Sequence, residues 1–250
     1  AYEPQSGYAD PYSVTLGYGQ RAREMGAILK DDTPATRIEV TNGKVSSVVT
    51  TNGRINTDTV VVAAGPWSAS LLSQVGVDTP LRTLRHQVVM IQRPESMGPW
   101  HPMLGDVVHS LSVRPDSNNL TLIGVGEEEY VTPGLYNQGV DMEVAEGAFA
   151  SLVARMPGLS KGFFRGGWSG LFTTTPDWHP ILDGVDGLEG LYCAIGFSGH
   201  GFKLSPLIGL VMAELITDGR ASTVDISQLN LNRFSEGKPL KSRYNMQVLA

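Results

Sequence analysis

The alternation of hydrophobic and polar positions at the start of the chain predicts one helix followed by a pair of strands. Asp10-Pro11 suits the N-cap and first position of a helix over residues 11–25. Residues 35–40 and 45–50 are rich in β-branched side chains and flank Asn42-Gly43, a strong signal for a β-hairpin turn. This part of the chain therefore predicts a helix and a hairpin.

Two further segments have the pattern of a layered α/β structure. Residues 59–63 form a continuous β-branched and apolar run, which predicts a strand buried on both faces. Near the other end, residues 191–195 predict a strand and residues 204–216 a helix. A polar tail over 219–250 should be anchored chiefly by Arg233-Phe234.

The middle of the chain has a different pattern, with strands that succeed one another and a single helix. Such an order is typical of a mainly antiparallel sheet. The predicted strands are 84–92, 107–113, 120–125 and 166–174, and the predicted helix is 141–156.

The whole pattern predicts a mixed α/β (α+β) fold in which a sheet domain is inserted into a cofactor-type domain. Residues 1–80 and 181–235 would form an incomplete Rossmann-like domain. Residues 81–180 would form a substrate-binding sheet domain with one helix, and residues 236–250 a tail.

Composition narrows the function classes. The 250 residues are 41% hydrophobic and 18% charged, with a net charge of −6 and no basic block, which argues against nucleic-acid binding. The single cysteine, Cys193, allows no internal disulfide, and the five histidines lack metal-ligand spacing. No apolar run could span a bilayer and no signal-peptide pattern is present, so we expect a cytoplasmic protein.

The most informative motif is Gly196-Phe197-Ser198-Gly199-His200-Gly201-Phe202-Lys203. It lies between the predicted strand 191–195 and the predicted helix, so it predicts a glycine turn that opens a helix. Such a turn brings backbone N–H groups and the helix dipole close to an electron-rich ligand. Lys203 gains nothing from the dipole at a helix start, which points to an anionic partner.

This motif resembles the flavin-contacting segment of the FAD-dependent amine and amino-acid oxidoreductases of the D-amino-acid oxidase superfamily, most closely the sarcosine oxidase and glycine oxidase branch. Residues 60–68 (Val-Val-Val-Ala-Ala-Gly-Pro-Trp-Ser) resemble a second FAD-contacting segment, and Thr33-Pro34-Ala35-Thr36 resembles an adenine contact. The resemblance covers nearly all of residues 7–235. It implies FAD contacts at Ala35, Ala63, Ala64, Gly65, Trp67, Gly196, Phe197, Ser198, Gly199, His200, Gly201 and Phe202.

The family's Gly-x-Gly-x-x-Gly pyrophosphate motif has no convincing counterpart in these residues. Gly17-Tyr18-Gly19 has the right spacing to Glu39, but Asp10-Pro11 starts a helix before it and no strand precedes it. We therefore expect the chain to be the C-terminal portion of a longer flavoprotein or a shortened relative, with weak or no FAD binding by itself.

The resemblance also assigns the chemistry, which is hydride transfer from the carbon next to nitrogen to FAD. It makes Lys203 the anchor of the substrate carboxylate and Phe172 an aromatic pocket residue that is tyrosine in the sarcosine oxidases. Gly170 lies where those oxidases carry the cysteine that links to FAD, so the flavin should be noncovalent. The oxygen-activating lysine has no counterpart near 123–130, which favours a dehydrogenase over an oxidase.

The expected substrate is a small carboxylated amine, either an amino acid or a secondary amine. Two alternatives stay open from the sequence. One is oxidation of a 2-hydroxy acid on the same fold, and the other is a non-catalytic subunit or interaction domain without the cofactor. His86 could line the site or lie on the surface, and Asp177 is interpreted as a turn residue. Self-association is expected if an N-terminal segment is missing and apolar surface is exposed.

Overall fold

The computed structural model describes residues 2–241, apart from the side chains of Glu127 and Glu128. It contains three sheets and four α-helices within that range. The helices are α1 (Pro11–Glu24), α2 (Ser68–Ser73), α3 (Met142–Arg155) and α4 (Gly201–Asp218); the strands are β1 (Ala35–Thr41), β2 (Lys44–Thr50), β3 (Gly53–Asn56), β4 (Val60–Val62), β5 (Arg82–Gln92), β6 (Leu104–Asp106), β7 (Leu111–Asp116), β8 (Leu120–Tyr130), β9 (Phe163–Thr174), β10 (Ile181–Gly184) and β11 (Leu191–Ile195).

The first helix and the hairpin at Asn42-Gly43 form as the sequence predicts. The side chain of Asp10 accepts a hydrogen bond from the backbone N–H of Ser13 and so caps α1. Asn42 and Gly43 both have positive φ and join β1 to β2, and β3 adds a third antiparallel strand. Gly17 and Gly19 lie inside α1, so they cannot form a strand-to-helix phosphate turn.

A second small sheet has the strand order β10-β11-β4, in which β4 and β11 run parallel. Its core includes Val62, Leu72, Ile181 and Ile195, all less than 4% exposed. The last strand leads into α4, which ends at Gly219 in the left-handed conformation.

The five-stranded antiparallel sheet has the order β6-β7-β8-β5-β9. Its core on one face includes Val89 and Ile123, which pack with Leu152 of α3 and with Leu159. The opposite face of the sheet carries the alternate side chains of the same strands, because successive residues of a strand point to opposite sides.

Two sequence predictions were wrong in detail. Residues 107–110 form a turn rather than part of a strand, because the buried carboxylate of Asp106 accepts hydrogen bonds from the backbone N–H groups of Val108 and His109. The run 59–63 is not buried on both faces, since Val61 is 41% exposed. Among the described residues no strand pairs with the outer edge of β4, so β4 is an edge strand of this sheet.

The tail is anchored where the sequence predicted. The guanidinium of Arg233 contacts the carboxylate of Asp177 with N–O distances of 2.8 and 3.0 Å, and both side chains are almost fully buried. The backbone N–H of Leu240 donates to the same carboxylate at 2.9 Å. Asp177 is therefore a structural turn residue, while residues 242–250 of the predicted tail lie outside the described residues.

Candidate functional site

The glycine turn after β11 has a backbone that most side chains would not tolerate. Gly196, Ser198 and Gly199 have φ angles of +70°, +50° and +83°. The left-handed region is easy for glycine and costly for other residues, so Ser198 must be held there by its surroundings. A Cβ at Gly196 would lie 2.5 Å from a methyl carbon of Thr175, so this glycine is also required by space.

Hydrogen bonds hold this turn against the end of β9. The backbone N–H of Ser198 donates to the carbonyl of Thr173 at 2.9 Å. The hydroxyl of Ser198, which is fully buried, donates to the carbonyl of Gly196 at 3.1 Å and accepts from the backbone N–H of Thr175 at 3.3 Å. These contacts fix the start of α4 relative to the five-stranded sheet.

A cavity of about 480 Å³ lies between the turn, the end of β4 and the end of β9. It brings together predicted site residues that are more than 100 positions apart in the sequence. Those that line it are Ala63, Gly65, Phe172, Gly196, Phe197, Ser198, Gly199, Gly201 and Phe202; Pro66, Leu171, Thr173, Ala194, Ile195, Ser205 and Ile208 complete the lining.

Other predicted contact residues lie outside this lining. Ala35 is the exposed first residue of β1 in a different sheet, and Ala64 packs on the core beside Val62. Trp67 is 56% exposed and lines a neighbouring cavity of about 660 Å³, which shares Pro66 with the first. Sequence alone could not separate Ala64 and Trp67 from Ala63 and Gly65, which are their neighbours in the chain.

His200 and Lys203 lie at the start of α4. His200 occupies the N-cap position, but no side chain caps this helix end. Burial lowers the pKa of His200, and the nearby charge of Lys203 lowers it further. Lys203 itself is exposed. The start of the helix lines the cavity at Gly201 and Phe202, and its backbone N–H groups have no side-chain cap, whereas the predicted residues His200 and Lys203 lie outside the lining.

The sheet face next to the cavity contains a histidine whose role the sequence left open. The rings of His86 and Phe172 stack with their centroids 4.6 Å apart and an angle of 18° between their planes. His86 is half-buried, and burial lowers its pKa. The alternation along β5 could have placed His86 on the face opposite the core, but only the strand register sets it beside Phe172.

A polar network on the other face of β5 was missed by sequence reasoning. Arg85 is 2% exposed, and its guanidinium contacts the carboxylates of Asp141 and Glu129 at 2.6 and 2.7 Å. It also donates to the carbonyls of Asn137 and Gly139 at 2.8 Å. A charged residue inside an otherwise apolar strand pattern is the signal that could have found it. This network fixes the loop before α3 to the sheet.

The residues around the cavity fit the flavin end of FAD. The glycine turn lines the cavity, Ala63 and Gly65 present no large side chain, and the uncapped helix start suits a ring that gains negative charge. Cys193 is fully buried in the core, and burial raises the pKa of its thiol to about 12, so it is not a thiolate that could link to a flavin.

Within residues 2–241 the structure shows neither a metal-binding cluster nor a membrane-spanning helix. Their histidine, cysteine and acidic side chains form no group of three or more that could hold a metal ion. No helix among residues 2–241 has the length and apolar character needed to cross a bilayer.

The fold and the cavity define a mixed α/β protein with a cavity where a glycine turn meets an antiparallel sheet. The family model described as "FAD dependent oxidoreductase" (DAO) matches residues 1–215. The chain therefore belongs to the DAO family of FAD-dependent oxidoreductases. Mixed helices and antiparallel sheets, as predicted from the sequence, are the fold of this family.

The relatives agree with the predicted branch. The chain is 30% identical over 241 residues to the monomeric sarcosine oxidase of Bacillus sp. (strain NS-129), covering 93% of this chain and 62% of that protein. It is 28% identical to the glycine oxidase of Geobacillus kaustophilus, covering 93% and 59%. The crystal structure of L-proline dehydrogenase from P. horikoshii superposes with a TM-score of 0.87 at 27% identity, covering 95% and 63%. The chain thus spans about three fifths of the length of these three relatives.

Proposed function

We propose that the chain is the portion of a flavin-dependent oxidoreductase that oxidises the C–N bond of a small amino acid or secondary amine. The observation that carries this proposal is the single cavity shared by the glycine turn, the end of β4 and Phe172. The sarcosine oxidase, glycine oxidase and L-proline dehydrogenase to which the chain is similar support the same substrate class. We also propose the division at residues 80 and 180 into a cofactor domain and a substrate domain.

The cofactor would be noncovalent FAD. The turn from Gly196 to Phe202 and the segment Ala63 to Gly65 would hold the flavin ring, while His200, Trp67, Ala64 and Ala35 would make the outer contacts that the family resemblance implies. When bound, FAD supplies the acceptor for the hydride that leaves the carbon next to nitrogen. The residues described here do not include a pyrophosphate cradle, so we expect tight binding only in a protein that supplies one.

The chain's own residues would bind and orient the substrate. Lys203 would attract its carboxylate through a charge-assisted contact, and the aromatic ring of Phe172 would pack against its apolar part. Since Phe172 has no polar group, it can provide neither the tyrosine hydroxyl nor the arginine contact of related oxidases. The missing counterpart of the oxygen-activating lysine favours a dehydrogenase.

The test is a visible spectrum of the purified protein before and after addition of FAD, followed by anaerobic addition of amines. Bleaching of the flavin band by N-methylglycine, glycine or L-proline, but not by glycolate, would support amine oxidation. Bleaching by glycolate alone would support the 2-hydroxy-acid alternative. No flavin binding by a protein that contains the pyrophosphate motif would support a non-catalytic role instead.

We propose further that the protein is cytoplasmic and associates through the surface of α1. This helix buries none of its residues, and the side chains of Tyr12 and Leu16 are 71% and 53% exposed. Apolar surface of this kind is usually covered by another surface. Sedimentation that shows only monomer at high concentration would contradict the self-association, and cell fractionation tests the location.

A further inference from the structure

A buried polar cluster fastens the segment between β5 and β6 to the five-stranded sheet. Its members are Arg93, directly after β5, Thr121 near the start of β8, and His101 within the segment. Arg93 and His101 are 3% and 6% exposed, and Thr121 is fully buried. We call these three residues the Thr121 cluster. Polar side chains this deeply buried depend on their hydrogen bonds with one another and with the backbone.

Arg93 joins this segment to the start of β8. Its Nη1 donates to the carbonyl of Leu120 and, at 3.2 Å, to Oγ1 of Thr121. Its Nη2 donates to the carbonyl of Pro99 at 2.6 Å. These three acceptors are uncharged, and in the described part of the chain the Nε of Arg93 has no hydrogen-bond partner. The guanidinium is therefore a buried positive charge that no described carboxylate contacts.

The hydrogen bonds of His101 determine its tautomer. Nδ1 lies 2.8 Å from the carbonyl oxygen of Pro102, which can only accept, so Nδ1 carries a proton. Nε2 lies 2.9 Å from Oγ1 of Thr121, which already accepts from Arg93. When Nε2 is unprotonated, the Thr121 hydroxyl donates to it, and the donors run in one direction from Arg93 through Thr121 to His101. The hydroxyl and both ring nitrogens are then fully paired.

Protonation of Nε2 would break this arrangement. Nε2 would become a donor, so the hydroxyl hydrogen of Thr121 would need a new acceptor at a position that has no exposed surface. A second positive charge would also lie beside the buried guanidinium of Arg93, where the two charges repel each other. The geometry of the cluster therefore favours a neutral His101.

The surroundings of the cluster act in the same direction. Burial lowers the pKa of His101, the hydrogen bond to Pro102 opposes this effect, and the charge of Arg93 lowers the pKa further. The other titratable groups that face the cluster, Tyr8 before α1 and Asp116 at the end of β7, act on Arg93 and not on His101. Because this pKa lies below its ordinary value of 6.5, neutral His101 stabilises the fold above pH 6.5, and the stabilisation is lost as the pH falls below that value.

We infer that the Thr121 cluster is a pH-sensitive clamp, in which neutral His101 holds residues 94–102 against the sheet and protonation of its Nε2 releases them. Met97 inside this segment and Leu104 at the start of β6 pack against the core of the five-stranded sheet. Release would therefore uncover part of that core and loosen the edge strand β6. The clamp lies outside the lining of the cavity at the glycine turn, so it does not depend on the reaction proposed for that cavity.

The first test is NMR of the purified wild-type protein labelled with ¹⁵N and ¹³C, with the ring signals of His101 assigned by through-bond correlation to its backbone. At about pH 8 we expect a proton on Nδ1 and none on Nε2, and on acidification we expect protonation with a midpoint below pH 6.5. A proton on Nε2 at about pH 8, or a midpoint above 6.5, would overturn the inference. This measurement does not depend on the folding of any variant.

The second test is hydrogen exchange of the backbone amides of residues 94–102, corrected for the intrinsic pH dependence of exchange. In the wild type we expect their protection to fall about tenfold between about pH 8 and about pH 5, because protonation of one group favours the released state. His101→Gln can accept from Thr121 and donate to Pro102 but does not titrate, so it should keep its protection at both pH values. His109→Gln, in the exposed turn after β6, is the matched control and should behave like the wild type. Wild-type protection that does not change with pH, or the same change in a folded His101→Gln variant, would contradict the clamp.

Discussion

Replacing Asp177 by Asn tests how the end of the chain is held to the substrate sheet. The side chains of Asp177 and Arg233 are 1% and 2% exposed, and the carboxylate also accepts the backbone N–H groups of His179 and Leu240. Asp177→Asn would leave the Arg233 guanidinium buried without a counter-charge. Loss of one partner of such a pair costs about 3–5 kcal/mol, so we expect a loss of that size in the free energy of unfolding at pH 7.

The pKa of Asp177 gives the pH range of this effect. Burial alone would raise that pKa, but hydrogen bonds from Arg233 and from the backbone of Leu240 and His179 outweigh burial and lower it to about 2. Because the pKa of Asp177 is lower in the folded protein than its value of 3.8 in the unfolded chain, its ionised carboxylate stabilises the fold at pH values above 3.8. This stabilisation is lost as the pH falls toward 2. At 1.36 kcal/mol per pKa unit, the difference corresponds to about 2 kcal/mol.

The assay is urea unfolding of the wild type and Asp177→Asn between pH 7 and pH 2.5. The difference between the two proteins should be constant from pH 7 to about pH 5 and then shrink by about 2 kcal/mol. Glu236→Gln, which breaks an exposed ion pair with Lys238, is the matched control and should cost less than about 1 kcal/mol at any pH. A difference between wild type and Asp177→Asn below about 1 kcal/mol, or one independent of pH, would refute the reasoning.

Three further predictions concern the cavity and its surroundings. Gly196→Ala should lower the free energy of unfolding by about 2–4 kcal/mol in urea, because its Cβ meets Thr175 and its φ is +70°; a stable variant would contradict the turn geometry. Lys203→Met should raise KM for a carboxylated amine about tenfold or more with a smaller change in kcat, while Lys30→Met should not; equal KM values would exclude Lys203 as the carboxylate anchor. Cys193 should resist thiol reagents at neutral pH until urea unfolds the protein, and fast labelling of the native state would contradict its burial.

Local signals in the sequence were sufficient for most of the elements. The N-cap at Asp10, the Asn42-Gly43 turn and the helix pattern of 141–156 act within a few residues, so they can be read without knowing the fold. The glycine motif after residue 195 could also be recognised, because glycines clustered between a strand pattern and a helix pattern indicate a turn. These features gave the mixed fold, the position of the candidate site and the family.

Contacts between distant strands could not be read in the same way. The exposure of Val61, for example, depends on which elements pack against that face of β4. That packing follows from the order and register of the strands, which many residues set together. The turn at 107–110 is different, because Asp106 accepts hydrogen bonds from backbone N–H groups only two and three residues later, which is a local signal.

The candidate site likewise combines local motifs, which the sequence predicts, with contacts between distant segments, which it does not. The sequence determined that a glycine turn, a small-residue strand end and a lysine at a helix start are present, since each is a local motif. Only the tertiary structure decided that Phe172 lies in the cavity of that turn, that His86 stacks on its ring, and that Asp177 pairs with Arg233. Asp177 and Arg233 are 56 residues apart. Contacts over such separations are a property of packing, and the pattern along one segment does not predict them.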